Sequence, residues 1–549
     1  MIRIHKLVPV FAALAFLPLP ALRAEEPVDL AMVTRIRDEG FRRSQVMETL
    51  TSLTTEVGPR LTGSPQAKEA NEWTKKTLEG WGLVNAHLEA YPFGRGWSFS
   101  RAAVRMTAPR EVPLAALPKA WTPGTDGPVR GAALRVDLKE EKDFEKHKGK
   151  LAGKILLLDP PRPAEDVDPA DPQFKRLTAE ELDGLLDFEL PDDRDRFEGG
   201  RSGRLKRYNF RRAVHDFLVA EKVAAIVEIS SWGQGIVRVG GGGSNEPGEN
   251  VGVPAVVMAS EPYNQIVHRL DEGQEVELEV DVAARFHDED PNSYNTIAEI
   301  PGTDKRDQVV MLGAHLDSWH GGTGATDNGA GVAVVMEAVR ILKALGVKPR
   351  RTIRVALWTG EEQGLLGSVA YVKEHFATRP ETTDPEQKKL PERMREETWP
   401  LKLKPEHAKL AAYFNMDNGT GKFRGIYAEV NAAVVPIFKA WLEPLSDLGA
   451  DRVTLRKTGG TDHVAMDRVG LPGFQFIQDP MDYFTLTHHT NLDTLDHARR
   501  KDLMQASVVM ATFVYHAAMR DQPLPRKPVP QKPVEKKKTK KDEEKKEEE

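Results

Sequence analysis

Three short, mainly apolar runs, each ending at or just before an acidic or imidazole side chain, constrain the fold of this chain most. The runs are Gln308–His315, Arg351–Thr359 and Leu410–Asn415. Apolar runs of this length, rich in β-branched residues, are typical of strands buried on both faces of a parallel sheet. Segments with helical periodicity, such as 331–345 and 503–518, alternate with them. We therefore predict an α/β sandwich with a mostly parallel central sheet.

Acidic and imidazole side chains collect at the carboxyl ends of these runs. His315 ends the first run, Glu361 and Glu362 follow the second, and Asp417 follows the third. Ligands of open α/β sheets bind beyond the carboxyl ends of parallel strands, so we expect these side chains to meet. Oxygen and imidazole donors converging in this way are typical of a metal site.

Five residues supply the ligands that two metal ions would need. A pair of divalent cations requires one bridging carboxylate and roughly two further protein ligands for each ion. Imidazole nitrogen and carboxylate oxygen are donors that zinc accepts, and the chain has no cysteine to form a competing thiolate site. The sequence predicts two Zn²⁺ per chain, with the ligands His315, Asp327, Glu362, Asp417 and His489.

The adjacent glutamates are expected to have different roles. In a mechanism with an attacking water, one carboxylate binds metal while an unbound neighbour takes the proton of the water. We assign Glu362 to metal and Glu361 to the general base. Asp317 lies two residues after His315, close enough to accept the second ring N–H of that histidine and fix its tautomer.

These motifs resemble those of metallopeptidase family 28, whose members are co-catalytic zinc exopeptidases. The resemblance implies Asp327 as the bridge, Glu362 and His489 on one zinc, His315 and Asp417 on the other, and Glu361 as base. It implies hydrolysis of terminal peptide bonds by a metal-bridging water that the glutamate activates. The matching segments are G-P-R-L-T-G-S (58–64), G-A-H-L-D (313–317), A-T-D-N-G-A-G (325–331), T-G-E-E-Q-G-L-L-G-S (359–368), N-M-D (415–417) and H-H-T-N-L-D-T (488–494).

Two further assignments follow from the resemblance. His488 stands where a tyrosine of glutamate carboxypeptidase polarises the scissile carbonyl, so we hypothesise that His488 donates a hydrogen bond there. Thr461, Asp462 and His463 resemble a substrate-side segment and are assigned to substrate contact. The alternative is a helix N-cap, because Thr and Asp are favoured at that position.

Several functions remain open at this point. Aminopeptidase or dipeptidase activity on small peptides is favoured, and a carboxypeptidase of the glutamate carboxypeptidase or carboxypeptidase Q type is the alternative, since the metal ligands are the same. A non-catalytic, receptor-like homologue would lack ligands, and none is missing here. A glutaminyl cyclase-like acyltransferase would use one zinc instead of two.

Composition and patterning predict the domain organisation. Residues 1–24 form a signal peptide, 25–125 and 291–521 the two parts of the catalytic domain, and 522–549 a disordered charged tail. Residues 126–290 are a strand-rich insert that resembles a protease-associated domain. Two charged excursions follow from composition. Residues 166–207 are expected to be exposed, and residues 378–406 either rim the substrate pocket or lie on the surface away from it.

The N-terminus predicts export. Arg3 and Lys6 precede an apolar stretch that prolines interrupt, with cleavage expected near Ala24 and a periplasmic or extracellular destination. No membrane span is expected in the mature chain. A net charge of −6 gives no basic surface for nucleic acid, so the expected partner is a peptide substrate. The oligomeric state stays open, with a homodimer among the alternatives.

Overall fold

The structure, a computed structural model, describes residues 26–163, 173–188 and 198–533. The predicted signal peptide and the last part of the predicted tail lie outside these residues. The strands of the described chain form two large sheets and one two-stranded ribbon. In chain order they are β1 (Val84–Pro92), β2 (Gly96–Ala108), β3 (Val112–Leu114), β4 (Ala116–Pro118), β5 (Val129–Arg135), β6 (Ile155–Leu157), β7 (Ala225–Ile229), β8 (Ala255–Met258), β9 (Glu277–His287), β10 (Asn292–Ile300), β11 (Lys305–His315), β12 (Arg351–Trp358), β13 (Ala377–Thr378), β14 (Lys402–Leu403), β15 (Leu410–Asn415), β16 (Phe423–Tyr427), β17 (Arg452–Thr454) and β18 (Gly473–Gln478).

The α-helices cover both sheets. Within the described residues they are α1 (Leu30–Arg42), α2 (Val46–Thr51), α3 (Pro65–Gly80), α4 (Phe144–His147), α5 (Ala179–Gly184), α6 (Glu198–Ala220), α7 (Ser260–Asp271), α8 (Ala330–Ala344), α9 (Leu366–His375), α10 (Pro385–Lys388), α11 (Val435–Leu442), α12 (His463–Asp467) and α13 (Arg500–Met519). None of these helices is long and apolar enough to cross a membrane.

The first sheet has eight strands in the order β1-β10-β12-β11-β15-β18-β16-β17. Its four central strands, β12, β11, β15 and β18, pair in parallel. Antiparallel pairs occur toward the edges, between β1 and β10, β10 and β12, and β16 and β18. The three apolar runs are therefore neighbours in one sheet, and the predicted α/β fold with a parallel centre is confirmed.

Strand β11 shows why these runs are apolar throughout. Val310 and Leu312 belong to the hydrophobic core that α8 and α13 share with one face of the sheet. Met311 lies between them in sequence and packs on the opposite face with Tyr371 of α9 and Met466 of α12. Successive side chains of a strand point to opposite faces, so a strand covered on both sides has no polar face.

The second sheet also has eight strands, in the order β3-β2-β9-β5-β6-β7-β8-β4. Its strands come from residues 96–287, so this sheet begins before residue 126, where the insert was predicted to start. Strand β2 already pairs along its length with β9, with Gly96 opposite His287. Sequence alone does not show this pairing, because β2 mixes polar and apolar residues and its partner lies far along the chain. The predicted strands at 153–158, 224–227 and 253–258 are present as β6, β7 and β8.

The first charged excursion is largely exposed, as predicted, in its described residues 173–188, but it is also anchored to the first sheet. We call its described residues 173–188 the strap. Arg176 of the strap forms ion pairs of 2.8 Å with both Asp479 and Asp502, and residue Lys175 pairs through its backbone with Met481. The strap contains helix α5, in agreement with the helical pattern predicted around residues 178–188.

The first part of the predicted tail also differs from expectation. Leu524 is 3% exposed, Arg526 donates a 2.9 Å hydrogen bond to the carbonyl of His407, and Lys527 donates to the carbonyl of Glu429. Composition alone did not reveal these contacts, because proline and charge dominate the segment. Residues 534–549 of the predicted tail lie outside the described chain.

Candidate active site

The first sheet brings the predicted ligands to one edge. His315 is the last residue of β11, and Asp417 lies two residues after the end of β15. Glu362 follows β12, and Asp327 lies in the turn that leads into α8. His489 comes from the loop between β18 and α13. The peptide bond between Asp327 and Asn328 is cis.

Asp327 lies between the two imidazoles. Its Oδ1 is 3.2 Å from His315 Nε2, and its Oδ2 is 3.2 Å from His489 Nε2. His315 Nε2 is also 3.6 Å from Asp417 Oδ1, whereas His489 Nε2 is 3.0 Å from Glu362 Oε2. The two oxygens of Asp327 thus face two separate groups of donors, each with one histidine and one further carboxylate.

The nitrogen and oxygen atoms of the predicted ligands are better arranged to bind metal ions than to form hydrogen bonds with one another. His315 Nε2, Asp327 Oδ2 and Glu362 Oε1 are buried and have no hydrogen-bond partner in the described chain. Buried polar atoms in folded proteins are nearly always partnered, so unpartnered atoms at one place need an explanation. Divalent cations bound between them would satisfy these atoms and offset the excess of carboxylates.

Burial and crowding perturb the ionisation of these groups. Burial raises the pKa of Glu361 well above its ordinary range and that of Glu362 to about 7. Burial disfavours the charged form of His489, but Glu362 and Asp327 beside it raise its pKa to about 10. A bound cation would reverse this tendency, because positive charge favours ionised carboxylates and neutral imidazoles.

Asp317 connects a predicted ligand to the glutamate pair. His315 Nδ1 is 3.0 Å from the backbone carbonyl of Asp317 and 3.5 Å from its carboxylate, so the backbone is the nearer acceptor. The Asp317 carboxylate accepts the hydroxyl of Thr62 at 2.8 Å and the backbone N–H groups of Glu361 and Glu362, both at 3.4 Å. These contacts fix the turn that carries both glutamates.

The structure places Thr461, Asp462 and His463 behind the site. All three are buried, and none of them lines the cavity described below, so their substrate contact stays a prediction. Asp462 occupies the N-cap position of α12, but its side chain caps no backbone N–H. Thr461 instead accepts a 2.9 Å hydrogen bond from Asn415, beneath the site.

His488 lies directly against a predicted ligand. Its ring centre is 3.8 Å from that of His489, and burial lowers its pKa to about 4. The imidazole of His488 is therefore uncharged near neutral pH and can donate one N–H hydrogen bond.

The loop that carries both histidines is held by the segment between β7 and β8. Val239 donates its backbone N–H to the carbonyl of His489 at 2.9 Å, and Val237 donates to Asn491 Oδ1 at 2.8 Å. Arg238 Nη2 lies 3.1 Å from His489 Nδ1. The loop between β7 and β8 of the second sheet thus directly contacts the loop that carries His488 and His489.

Two supporting residues had no predicted role. Asp493 accepts the backbone N–H groups of Thr326 at 2.6 Å and Asp327 at 3.3 Å. The buried guanidinium of Arg60 donates to the carbonyls of Leu316 and Gly324, both at 2.7 Å. Asp493 lies inside the family-like motif at 488–494 and Arg60 inside the one at 58–64. Nothing else in the sequence pointed to these two residues.

A cavity of about 1130 Å³ opens onto the predicted ligands. Its lining includes Asp327, Glu361, Glu362, Asp417, His488 and His489. The remaining wall includes Arg207, Tyr208 and Arg211 from α6, Met394 from the second charged excursion, and Leu365, Val464, Arg468, Tyr483 and Phe484. A cavity of this size is slightly larger than the roughly 300–1,000 Å³ of typical small-molecule sites, so it can hold a short peptide.

Comparison with known proteins agrees with this geometry. Residues 295–514 match the sequence profile of peptidase family M28. Carboxypeptidase Q of Bos taurus is 26% identical over 488 residues, covering 89% of this chain and 88% of that protein. A solved M28 peptidase precursor from Shewanella amazonensis is 27% identical, with a TM-score of 0.62, and covers 91% of this chain and 99% of its own. The fold also matches BSAP, a zinc aminopeptidase from Bacillus subtilis, at 18% identity and a TM-score of 0.53, over 87% of this chain and 95% of that one. The profile over residues 295–514 and the relatives along most of the chain together support the M28 metallopeptidase family.

Proposed function

We propose that this protein is an exopeptidase that uses two zinc ions to hydrolyse terminal bonds of small peptides. The observation that carries the proposal is the position of Asp327, whose two carboxylate oxygens each lie 3.2 Å from a different imidazole. In this proposal Asp327 would be shared between the ions. His315 and Asp417 would hold one ion with it, and Glu362 and His489 would hold the other.

The proposed chemistry divides between the ions and the chain. When bound, zinc ions acidify a water molecule and polarise the scissile carbonyl. Glu361, held by the contact between its backbone N–H and Asp317, takes the proton of the attacking water and delivers it to the leaving amine. His488, uncharged near neutral pH, donates a hydrogen bond to the carbonyl oxygen as negative charge develops there.

The alternatives have less support. A receptor-like homologue without activity would be expected to lack ligands, whereas all five are present and close together. A single-zinc acyltransferase would not need a carboxylate facing two imidazoles. The relatives named as a carboxypeptidase and as a zinc aminopeptidase both favour hydrolysis at a peptide terminus.

The base is tested with Glu361→Gln. We expect this variant to keep two zinc ions per chain, measured by elemental analysis, and to lose peptidase activity by roughly 10²- to 10⁴-fold, as removal of a general base does. Glu374→Gln, an exposed substitution on α9, is the matched control and should retain activity. Normal hydrolysis by Glu361→Gln would show that another group takes the proton.

The metal assignment is tested separately with Asp327→Ala. Because the bridging carboxylate serves both ions, this variant should bind less than one zinc per chain. Two tightly bound zinc ions in Asp327→Ala would contradict the assignment.

A further inference from the structure

The charged groups that line the cavity divide into two sets. Within the described residues, the lining carboxylates are Asp327, Glu361, Glu362 and Asp417, and each is already assigned to metal or to the base. No lining carboxylate in this part of the chain is left over to pair with the ammonium group of a substrate. The cationic side chains are instead three arginines, Arg207, Arg211 and Arg468.

These arginines come from two unrelated elements. Arg207 and Arg211 project from α6, which precedes β7 of the second sheet, and Arg468 directly follows α12 of the first. Within the described residues, neither Arg207 nor Arg468 forms an ion pair with a carboxylate. Each alone could be an ordinary solvated arginine. Their occurrence in the lining of the cavity that also contains the candidate metal site argues for an anionic ligand there.

The surroundings of Arg468 reinforce its attraction for an anion. Arg468 lies close enough to Arg379 that its charge adds to the effect of burial in lowering the pKa of Arg379. Arg379 is paired with Glu397 at 3.3 Å, so that carboxylate is already engaged. Glu397 is therefore not left over to neutralise Arg468, and guanidinium groups bind carboxylates through paired, charge-assisted hydrogen bonds.

We propose that Arg468 and Arg207 bind the free α-carboxylate of a peptide substrate, so that the enzyme removes residues from the C-terminal end. This inference rests on the proposed exopeptidase function and names its substrate class. An exopeptidase recognises a chain terminus by its charge, and this cavity offers guanidinium groups for a carboxylate but no spare carboxylate for an amine. Phe484, 56% exposed in the same lining, provides an apolar surface for a substrate side chain.

The kinetic test compares three substrates with zinc-loaded protein. They are an N-acetylated dipeptide with a free C-terminal acid, the same dipeptide as its C-terminal amide, and an aminoacyl anilide with a free amine. We expect the acid to be cleaved with the highest kcat/KM. Arg468→Ala and Arg207→Ala should each lower kcat/KM for the acid by roughly 10- to 100-fold, mainly through KM, and leave the amide unchanged. Lys206→Ala, on α6 but outside the cavity lining, is the matched control.

A binding measurement with an inactive variant tests carboxylate recognition without requiring catalysis. Zinc-loaded Glu361→Gln is titrated with the acid and the amide by calorimetry, with and without Arg468→Ala. The acid should bind more tightly than the amide, and the preference should disappear when Arg468 is removed. Equal binding of acid and amide overturns the proposal, and so do equal losses on both substrates in the arginine variants.

Different results would contradict the carboxylate-binding proposal and the exopeptidase function. Preferential cleavage of the anilide would overturn the carboxylate proposal and leave the exopeptidase function intact. Absence of cleavage of all three substrates by zinc-loaded protein would overturn the proposed function, and the calorimetric comparison would still decide whether the arginines bind a carboxylate.

Discussion

At the scale of single residues, the most informative side chains are those that orient the ligands. Asp493 is 4% exposed and accepts backbone N–H groups from the turn that contains Asp327. The carboxylate of Asp317 does the same for the turn that contains Glu361 and Glu362. Such contacts set the position of a ligand without touching the metal, and their loss usually weakens metal binding.

Replacing Asp493 tests this role. Asp493→Ala should weaken zinc binding by roughly 10- to 100-fold, because the backbone before Asp327 loses its acceptor. The measurement is a zinc titration in competition with a chromogenic chelator, accompanied by a thermal denaturation curve to verify folding. The control is Asp496→Ala, an exposed residue of the same loop. Unchanged affinity in Asp493→Ala would assign the carboxylate no part in ordering the turn.

The convergence of the candidate ligands could be predicted from sequence, but their supports could not. His315, Glu362 and Asp417 could be expected to meet because they follow the apolar strands of one parallel sheet. Asp493 and Arg60 contact backbone N–H and carbonyl groups far along the chain, and no local residue pattern shows such a contact. The burial of Thr461–His463 could not be predicted either, because the motif there does not show which way its side chains face.

At the scale of elements, the strap shows that a largely exposed segment can still be anchored to the fold. Its composition is that of an exposed loop, yet Asp479, to which it binds, is fully buried. Asp479 also pairs with Arg424 at 3.1 Å and accepts the backbone N–H of Leu177 at 3.0 Å. Charges in a predicted loop therefore need not be solvated, because a buried carboxylate elsewhere can pair with them. A single sequence does not show which charges will meet.

The strap contact predicts a measurable stability effect. Arg176→Ala should lower the free energy of unfolding by about 1–3 kcal/mol, because buried Asp479 loses one of its two guanidinium partners. It should also increase protease cleavage within residues 173–188. Arg135→Ala is the control, since Arg135 pairs with Asp271 at 3.2 Å on the exposed surface, where ion pairs contribute little. Equal stability of the two variants, measured by urea denaturation, would argue against the strap as a stabilising contact.

At the scale of the whole molecule, the two sheets differ in how well the sequence predicts them. The parallel centre of the first sheet was predicted because β11, β12 and β15 are buried on both faces and read as apolar runs. Strands β2 and β9 of the second sheet were not recognised, since each exposes part of its surface. The pairing between them joins residues almost two hundred positions apart, which local periodicity cannot reveal.

Metal removal should affect the entire fold. Ions that bind only the folded state stabilise it by about 2.7 kcal/mol for each site at a free concentration near 100 times Kd. Chelation should therefore lower the Tm of the wild-type protein, and added zinc should restore it. Asp327→Ala provides the comparison, because its Tm should respond little to chelator. An equal chelator effect on both proteins would place the stabilising ion elsewhere.

The hydrogen bonds between Val237–Val239 and the loop of His489 bear on how this enzyme could be reduced in size. Strands β2 and β9 lie side by side, so a short linker could bridge the chain from Arg95 to Asp288 and excise everything between. The excision would also take away the backbone partners of His489 and Asn491. If the proposed zinc sites are correct, a minimised enzyme of this kind is expected to bind an ion at His315 and Asp417 more firmly than one at Glu362 and His489, because only the second pair loses its support from the excised segment.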